Sequence, residues 1–257
     1  MFLAIDVGNT QSTLGLFDDE GQLAKGWRMT SNASDTSDIL HARLFSYFLK
    51  DGYELADVSA AAVASVVPAL TRAWWRCLGD LLGRSPLLVN ATHDYGMPID
   101  MPNPRTVGAD RIANAVAADA FYGAPAIVVD FGTATNIDVI DSEGYYIGGS
   151  IAPGIRISMD ALTARASKLA SVPLESPTHA IGRNTVECVQ SGAVIGAAAM
   201  AEGLVARIKN ELGAPDARVI ATGGLSSVVA QSTDVFDVID NQLTLRGIRE
   251  IYRRMTE

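Results

Sequence analysis

Cysteine is scarce in this chain of 257 residues: Cys77 and Cys188 stand far apart and lack the paired spacing of a metal site. That excludes a disulfide framework and leads us to expect two free, buried thiols in a reducing cytoplasm. His41, His93 and His179 are scattered and form no ligand pattern. Positive charge is in deficit as well. Twenty Lys and Arg against 29 Asp and Glu leave a net charge of −9, which argues against a nucleic-acid backbone or an anionic membrane as the main partner. Trp74-Trp75 reads as packing rather than as a stacking platform for bases. No uncharged run reaches the roughly 20 residues that a bilayer span needs. The Ala- and Gly-rich run from 188 to 201 holds 14 residues and is expected to be a buried helix. Asp6 comes too early, with no basic region before it, for a secretory signal. Low-complexity segments are missing too.

What the chain does have is a repeated loop. Phe2-Leu3-Ala4-Ile5 runs into Asp6-Val7-Gly8-Asn9-Thr10-Gln11-Ser12-Thr13 and out into Leu14-Gly15-Leu16-Phe17. This reads as strand, tight turn, strand. Gly8 allows close approach of a ligand to the backbone. The N–H groups and short hydroxyls around it suit phosphate oxygens, and Asp6 could address a metal held by those phosphates. A plain hairpin reads the same way. The layout returns 124 residues later, as Ala126-Ile127-Val128-Val129-Asp130-Phe131-Gly132-Thr133-Ala134-Thr135 before another apolar run. Two such units half a chain apart suggest a duplicated domain with two loops facing one polyphosphate.

The rest fits a doubled plan. In the first half, strands are expected at 22–29, 60–67 and 86–89, and helices at 38–50 and 69–82. A proline-bearing loop, 90–107, leads to a helix opened by Gly108-Ala109-Asp110-Arg111 and ending near Tyr122. In the second, strands are expected at 126–130, 135–140, 144–149, 218–221 and 235–238. Helices are expected from 154 to near Ser167, from Thr185 to Leu212 behind an Asn184/Glu187 cap, and from 243 to 255. An irregular stretch fills 170–183. Each half reads β-β-β-α-β-α-β with a helix following, which sets domains at 1–115 and 116–257.

With these pieces in order, the chain resembles the actin-like ATPase superfamily. Asp6-Val7-Gly8-Asn9-Thr10, Ser65-Val66-Val67-Pro68, Gly108-Ala109-Asp110-Arg111, Asp130-Phe131-Gly132-Thr133-Ala134-Thr135 and Thr222-Gly223-Gly224 carry the resemblance. Within the superfamily the set is similar to type III pantothenate kinase. The resemblance implies a duplicated actin-like ATPase (ribonuclease H-like) α/β fold, two domains around a nucleotide cleft. It implies ATP-dependent phosphorylation of pantothenate on its primary hydroxyl, the first step of coenzyme A synthesis. It also implies Mg²⁺, a monovalent cation (potassium or ammonium) and a homodimer.

Residue by residue, the resemblance places Asp6, Val7, Gly8, Asn9, Thr10, Gln11, Ser12, Thr13 and Thr133 around ATP. It places Gly108, Ala109, Asp110 and Arg111 around pantothenate, with Asp110 as general base. Thr185 is implied to contact substrate in the pocket of the neighbouring subunit. Asp130 is implied to hold the monovalent cation. Bland alternatives exist for each. Asp110 suits the first turn of any helix, and Arg111 a surface ion pair. Thr133 can bond its own turn, and Thr185 can simply follow a helix cap. Asp130 can equally serve Mg²⁺. Another small-molecule kinase, or a nucleotide-gated regulator with the same fold, are the competing functions.

Overall fold

The computed structural model describes residues 1–165 and 172–256. They divide into two compact units. The first contains β1 (Phe2–Val7), β2 (Gln11–Phe17), β3 (Leu23–Thr30), α1 (Ser37–Asp51), β4 (Ala60–Ser65), α2 (Pro68–Leu82), β5 (Leu87–Leu88) and the start of α3 (Ala109–Tyr122). The second contains β6 (Ala126–Phe131), β7 (Ala134–Ile140), β8 (Tyr146–Pro153), α4 (Ile155–Arg165) and α5 (Thr185–Gln190). A π turn (Ser191–Ile195), α6 (Gly196–Leu212), β9 (Arg218–Thr222), α7 (Ser226–Val229) and β10 (Val238–Ile239) complete it.

Each unit has one mixed five-stranded sheet of the same topology. The orders are β3-β2-β1-β4-β5 and β10-β9-β6-β7-β8. In each, the first two connections are antiparallel hairpins, and the first strand then pairs in parallel with the fourth. A central strand flanked by neighbours and covered on both faces needs apolar residues throughout. β1 and β6 have them: Leu3, Ala4, Ile5, Ile127, Val128 and Val129 are fully buried. Local signals set the helix ends. Thr36 caps α1 by accepting a hydrogen bond from Ile39 N, and Gly52 ends it at φ 79°. Pro68 opens α2.

Several expectations change. The last helix, α8 (Leu243–Thr256), belongs to the first unit rather than the second. Its buried Leu243, Leu245, Ile248 and Ile251 form one apolar face. Gly247 lies so tightly on the Ala113 carbonyl of α3 that any side chain would overlap it, and Thr244 Oγ1 donates to the buried Asn114 Oδ1 at 2.7 Å. The strand expected at 235–238 forms at 238–239, because Val235 and Phe236 pack into the second core instead. The expected 185–212 helix is continuous but carries the π turn. Its run from 188 to 201 is buried on one side only, through Gln190, Val194, Ala197, Ala198 and Ala201. By length and composition this 28-residue helix could cross a membrane, a test that the core helix of a globular unit also meets. Cys77 is buried, and burial pushes its thiol up to about 12, whereas Cys188 is exposed. Trp74 is fully buried but Trp75 is 41% exposed. The helix end expected near Ser167, and the start of the irregular stretch at 170, lie outside the described residues.

Candidate active site

In the first unit three of the expected segments meet at one end of the sheet. β1 runs parallel to β4 with Asp6 beside Ala64 and Val7 beside Ser65. Val66 N then donates to Val7 O at 3.1 Å, so Ser65-Val66-Val67-Pro68 leaves the sheet next to the Asp6 loop. That loop turns tightly, with Gly8 N donating to Gln11 O at 3.1 Å. Asn9, Thr10 and Gln11 are exposed at its tip. Ser12 behaves differently. It is 1% exposed, and its hydroxyl pairs with Ser31 Oγ at 2.8 Å. Ser31 N also donates to Thr10 O at 3.0 Å. The Thr30–Thr36 loop thus braces the Asp6 loop from behind, a role the sequence reading did not give Ser31.

Gly108 lies against the same segment. A Cβ there would stand 3.5 Å from Val66 Cγ1 and only 2.5 Å from Asp110 Oδ1. The missing side chain is the space that the Asp110 carboxylate occupies. Asp110 Oδ1 accepts a hydrogen bond from Arg111 N at 2.9 Å. Burial pushes its carboxyl above the usual value, while the Arg111 N–H and guanidinium pull the other way. Burial dominates, so this carboxylate holds a proton more readily than an exposed one. The 90–107 loop that delivers Gly108 is itself anchored. Tyr95 is buried, its hydroxyl donates to Asn90 O at 2.8 Å, and its carbonyl accepts from an Arg254 guanidinium N at 3.0 Å.

In the second unit the repeated loop is one residue shorter. Val7 pairs with Ser12 across the first turn, but Phe131 pairs with Thr135 across the second. Gly132 N donates to Ala134 O at 3.0 Å, and Gly132 and Thr133 are exposed. Two glycines press on this loop. Gly154 abuts the carbonyls of Thr133 and Gly132. Gly223, at φ 91°, leaves no room for a Cβ beside Asp130 Oδ1 and the Phe131 backbone. Asp130 pairs with Thr222 in the sheet, and Leu225 N donates to Phe131 O at 3.3 Å. The Thr222-Gly223-Gly224 turn is thereby fixed against the Asp130 loop. Thr185 stands on a different element, exposed at the start of α5 behind the Asn184 cap.

Residues 2–207 match the family model for type III pantothenate kinase. This chain belongs to the type III pantothenate kinase family. It is 46% identical over 255 residues to the type III pantothenate kinase of Thermomicrobium roseum, covering 99% of this chain and 98% of the relative. It is 45% identical over 256 residues to that of Moorella thermoacetica, covering 100% of both. Solved structures with the same fold share far less sequence. The activator of the 2-hydroxyisocaproyl-CoA dehydratase from Clostridium difficile, with bound ADPNP, is 12% identical at a TM-score of 0.59, covering 99% of this chain and 94% of that one. A ROK family glucokinase from Streptomyces griseus, in complex with glucose and AMPPNP, is 13% identical at 0.54, covering 98% and 99%. The fold is the duplicated actin-like ATPase fold, as each sheet's topology already indicated. The family's members are kinases.

Proposed function

We propose that this chain, a pantothenate kinase by family, works through Asp110 as the base that takes the proton from the primary hydroxyl of pantothenate as that oxygen attacks the γ-phosphorus of ATP, whose bond to the β,γ-bridging oxygen breaks to release ADP. The observation that carries the reading is the Asp110 carboxylate, seated in the space left by Gly108 and raised in proton affinity by burial. A base poised nearer neutrality accepts an alcohol proton more effectively than an ordinary aspartate. Phosphoryl transfer is otherwise positioning and charge neutralisation. The exposed amides and hydroxyls of Asn9, Thr10, Gln11 and Thr133 serve the phosphates, together with Gly8, Val7 and Thr13. Ser12 keeps the first loop in shape from inside. Arg111 suits the pantothenate carboxylate, which a guanidinium can hold through two parallel hydrogen bonds. The product enters coenzyme A synthesis.

A cation fits this donor set only with help. Among the described residues no three His, Cys, Asp or Glu side chains converge. Asp6 and Asp130 each bring one carboxylate, and Gly132 and Gly223 place no side chain of their own against the Asp130 carboxylate. Such carboxylates suit a hard cation that completes its shell with phosphate oxygens and water. When bound, Mg²⁺ neutralises phosphate charge. We assign Asp130 to a monovalent cation, potassium or ammonium, and the protein to the cytoplasm. The deciding assay follows ATP-dependent phosphorylation of pantothenate with potassium, ammonium or sodium as the only monovalent cation. We expect activity with the first two and poor substitution by sodium. Full activity in sodium alone would return Asp130 to the divalent role. A chain that phosphorylates a sugar but not pantothenate would overturn the reading itself.

The working form is a homodimer in which Thr185 completes the pocket of the second copy. Thr185 is exposed, and Val186 and Ile181 beside it are 45% and 82% exposed. Along the same helix a Cβ on Gly192 or Gly196 would meet nothing within 4 Å, so another helix can approach closely there. Mixing Asp110→Asn subunits with Thr185→Arg subunits tests this. Random re-pairing puts both lesions in one site of each heterodimer and neither in the other, so activity should recover to about a quarter of the unaltered enzyme, from two-fold symmetry. Heterodimers that form without recovering activity would mean that each subunit builds its own pocket.

A further inference from the structure

We propose that residues 172–184 act as a clamp that sets the position of Thr185, with Glu187 as its positioning residue. The proposal rests on the reading of Thr185 as a pantothenate contact.

Irregular backbone at a surface is ordinarily satisfied by water and correspondingly free to move. This stretch is instead satisfied by side chains of the helix that follows it. Gln190 Nε2 donates to Pro173 O at 2.9 Å. Ser191 Oγ donates to Ala180 O at 2.7 Å. The far end is fixed as well: Val172 and Leu174 pack against the second core, and Ser176 Oγ lies 2.7 Å from Ser232 Oγ. At the near end, Gly182 sits directly on the helix. A Cβ there would overlap Cys188 N and stand 2.6 Å from the Glu187 carbonyl carbon.

Glu187 closes the clamp with both carboxylate oxygens. Oε2 accepts from Arg183 N at 2.7 Å, and Oε1 accepts from Asn184 Nδ2 at 2.8 Å. Its own N–H donates to Asn184 Oδ1 at 3.0 Å. In the usual capping box the acid reaches back to the N–H of the cap residue. Here it reaches one residue further, so one side chain ties both residues that precede Thr185. Thr185 is exposed and is not held by burial of its own side chain. Where its hydroxyl points is therefore decided by the clamp, and a displacement of about 1 Å at a substrate contact can cost on the order of 100-fold.

The test compares Glu187→Ala, Glu187→Gln and Thr185→Val in the dimeric enzyme, with steady-state kinetics for both substrates and hydrogen exchange across 180–188. For Glu187→Ala we expect faster exchange in that segment and a KM for pantothenate raised about tenfold or more, with the KM for ATP unchanged. Glu187→Gln keeps one acceptor oxygen and should fall between Ala and the unaltered chain. Slow exchange in Glu187→Ala, or an unchanged pantothenate KM beside an impaired Thr185→Val, overturns the clamp alone. A Thr185→Val variant with unaltered pantothenate KM overturns the substrate contact and the clamp's purpose with it. Equal rises in both KM values would mean that Glu187 supports the fold and not this contact.

Discussion

Asp110→Asn is expected to lower the rate of pantothenate phosphorylation by about 10²–10⁴-fold, the usual loss when a positioned general base is removed, while ATP still binds. The amide keeps the shape and can still accept from Arg111 N, but it has almost no affinity for the alcohol proton. The unaltered enzyme should also show the base in its pH profile. A base works only when deprotonated, and burial raises the Asp110 pKa above its ordinary 3.8. On acidification, kcat/KM should therefore begin to fall at a pH higher than an exposed aspartate would give. The residual activity of Asp110→Asn should lack that limb. A rate within a few-fold of the unaltered enzyme, or a limb that survives the substitution, would remove Asp110 from the role.

The second large effect is expected from a single methyl group. Gly223→Ala puts a Cβ onto Asp130 Oδ1 and within 2.6 Å of the Phe131 carbonyl carbon, at a φ of 91° that side chains rarely adopt. The backbone strain alone costs about 1–3 kcal/mol. Relief requires the carboxylate or the loop to move, and such displacement should reduce activity by on the order of 100-fold. Gly224→Ala is the control. A Cβ there meets nothing within 4 Å, so both melting temperature and rate should stay close to the unaltered values. Similar behaviour of the two variants, in a thermal melt and in the kinase assay, would show that Gly223 does not hold the Asp130 carboxylate in place.

These residues differ in how far the sequence exposes their roles. The two Asp-x-Gly loops are legible because the signal is local: an apolar run stops, polar residues turn, an apolar run resumes. Ser12 carries a signal of its own. It shares strand parity with Leu14 and Leu16, which are fully buried, so a side chain at 12 must point inward with them. Ser31 had no signal, since its partnership with Thr10 and Ser12 joins residues roughly 20 apart across a hairpin edge. The destination of α8 was equally hidden. Its periodicity shows an apolar face, but no property of that face says which of two similar sheets it covers. The Gly223 contact is similar, because a Gly-Gly turn in sequence does not name the carboxylate beneath it. The duplicated architecture is legible through the repeated Asp-x-Gly loops and the resemblance they carry, whereas the strand order and the bracing contacts are not.

That return of α8 has a consequence for how the protein is made. Residues 118 to 242 are a contiguous block that leaves the ribosome with its own sheet complete. The earlier block has its strands first but lacks Leu243, Leu245, Ile248 and Ile251, each such burial worth about 1.5–3 kcal/mol. Set against a typical net stability of about 5–15 kcal/mol, that shortfall is decisive. Synthesis runs from the first unit to the second, yet the unit begun first is finished last, and Asp110 takes its place only after the helix that backs α3 has been translated.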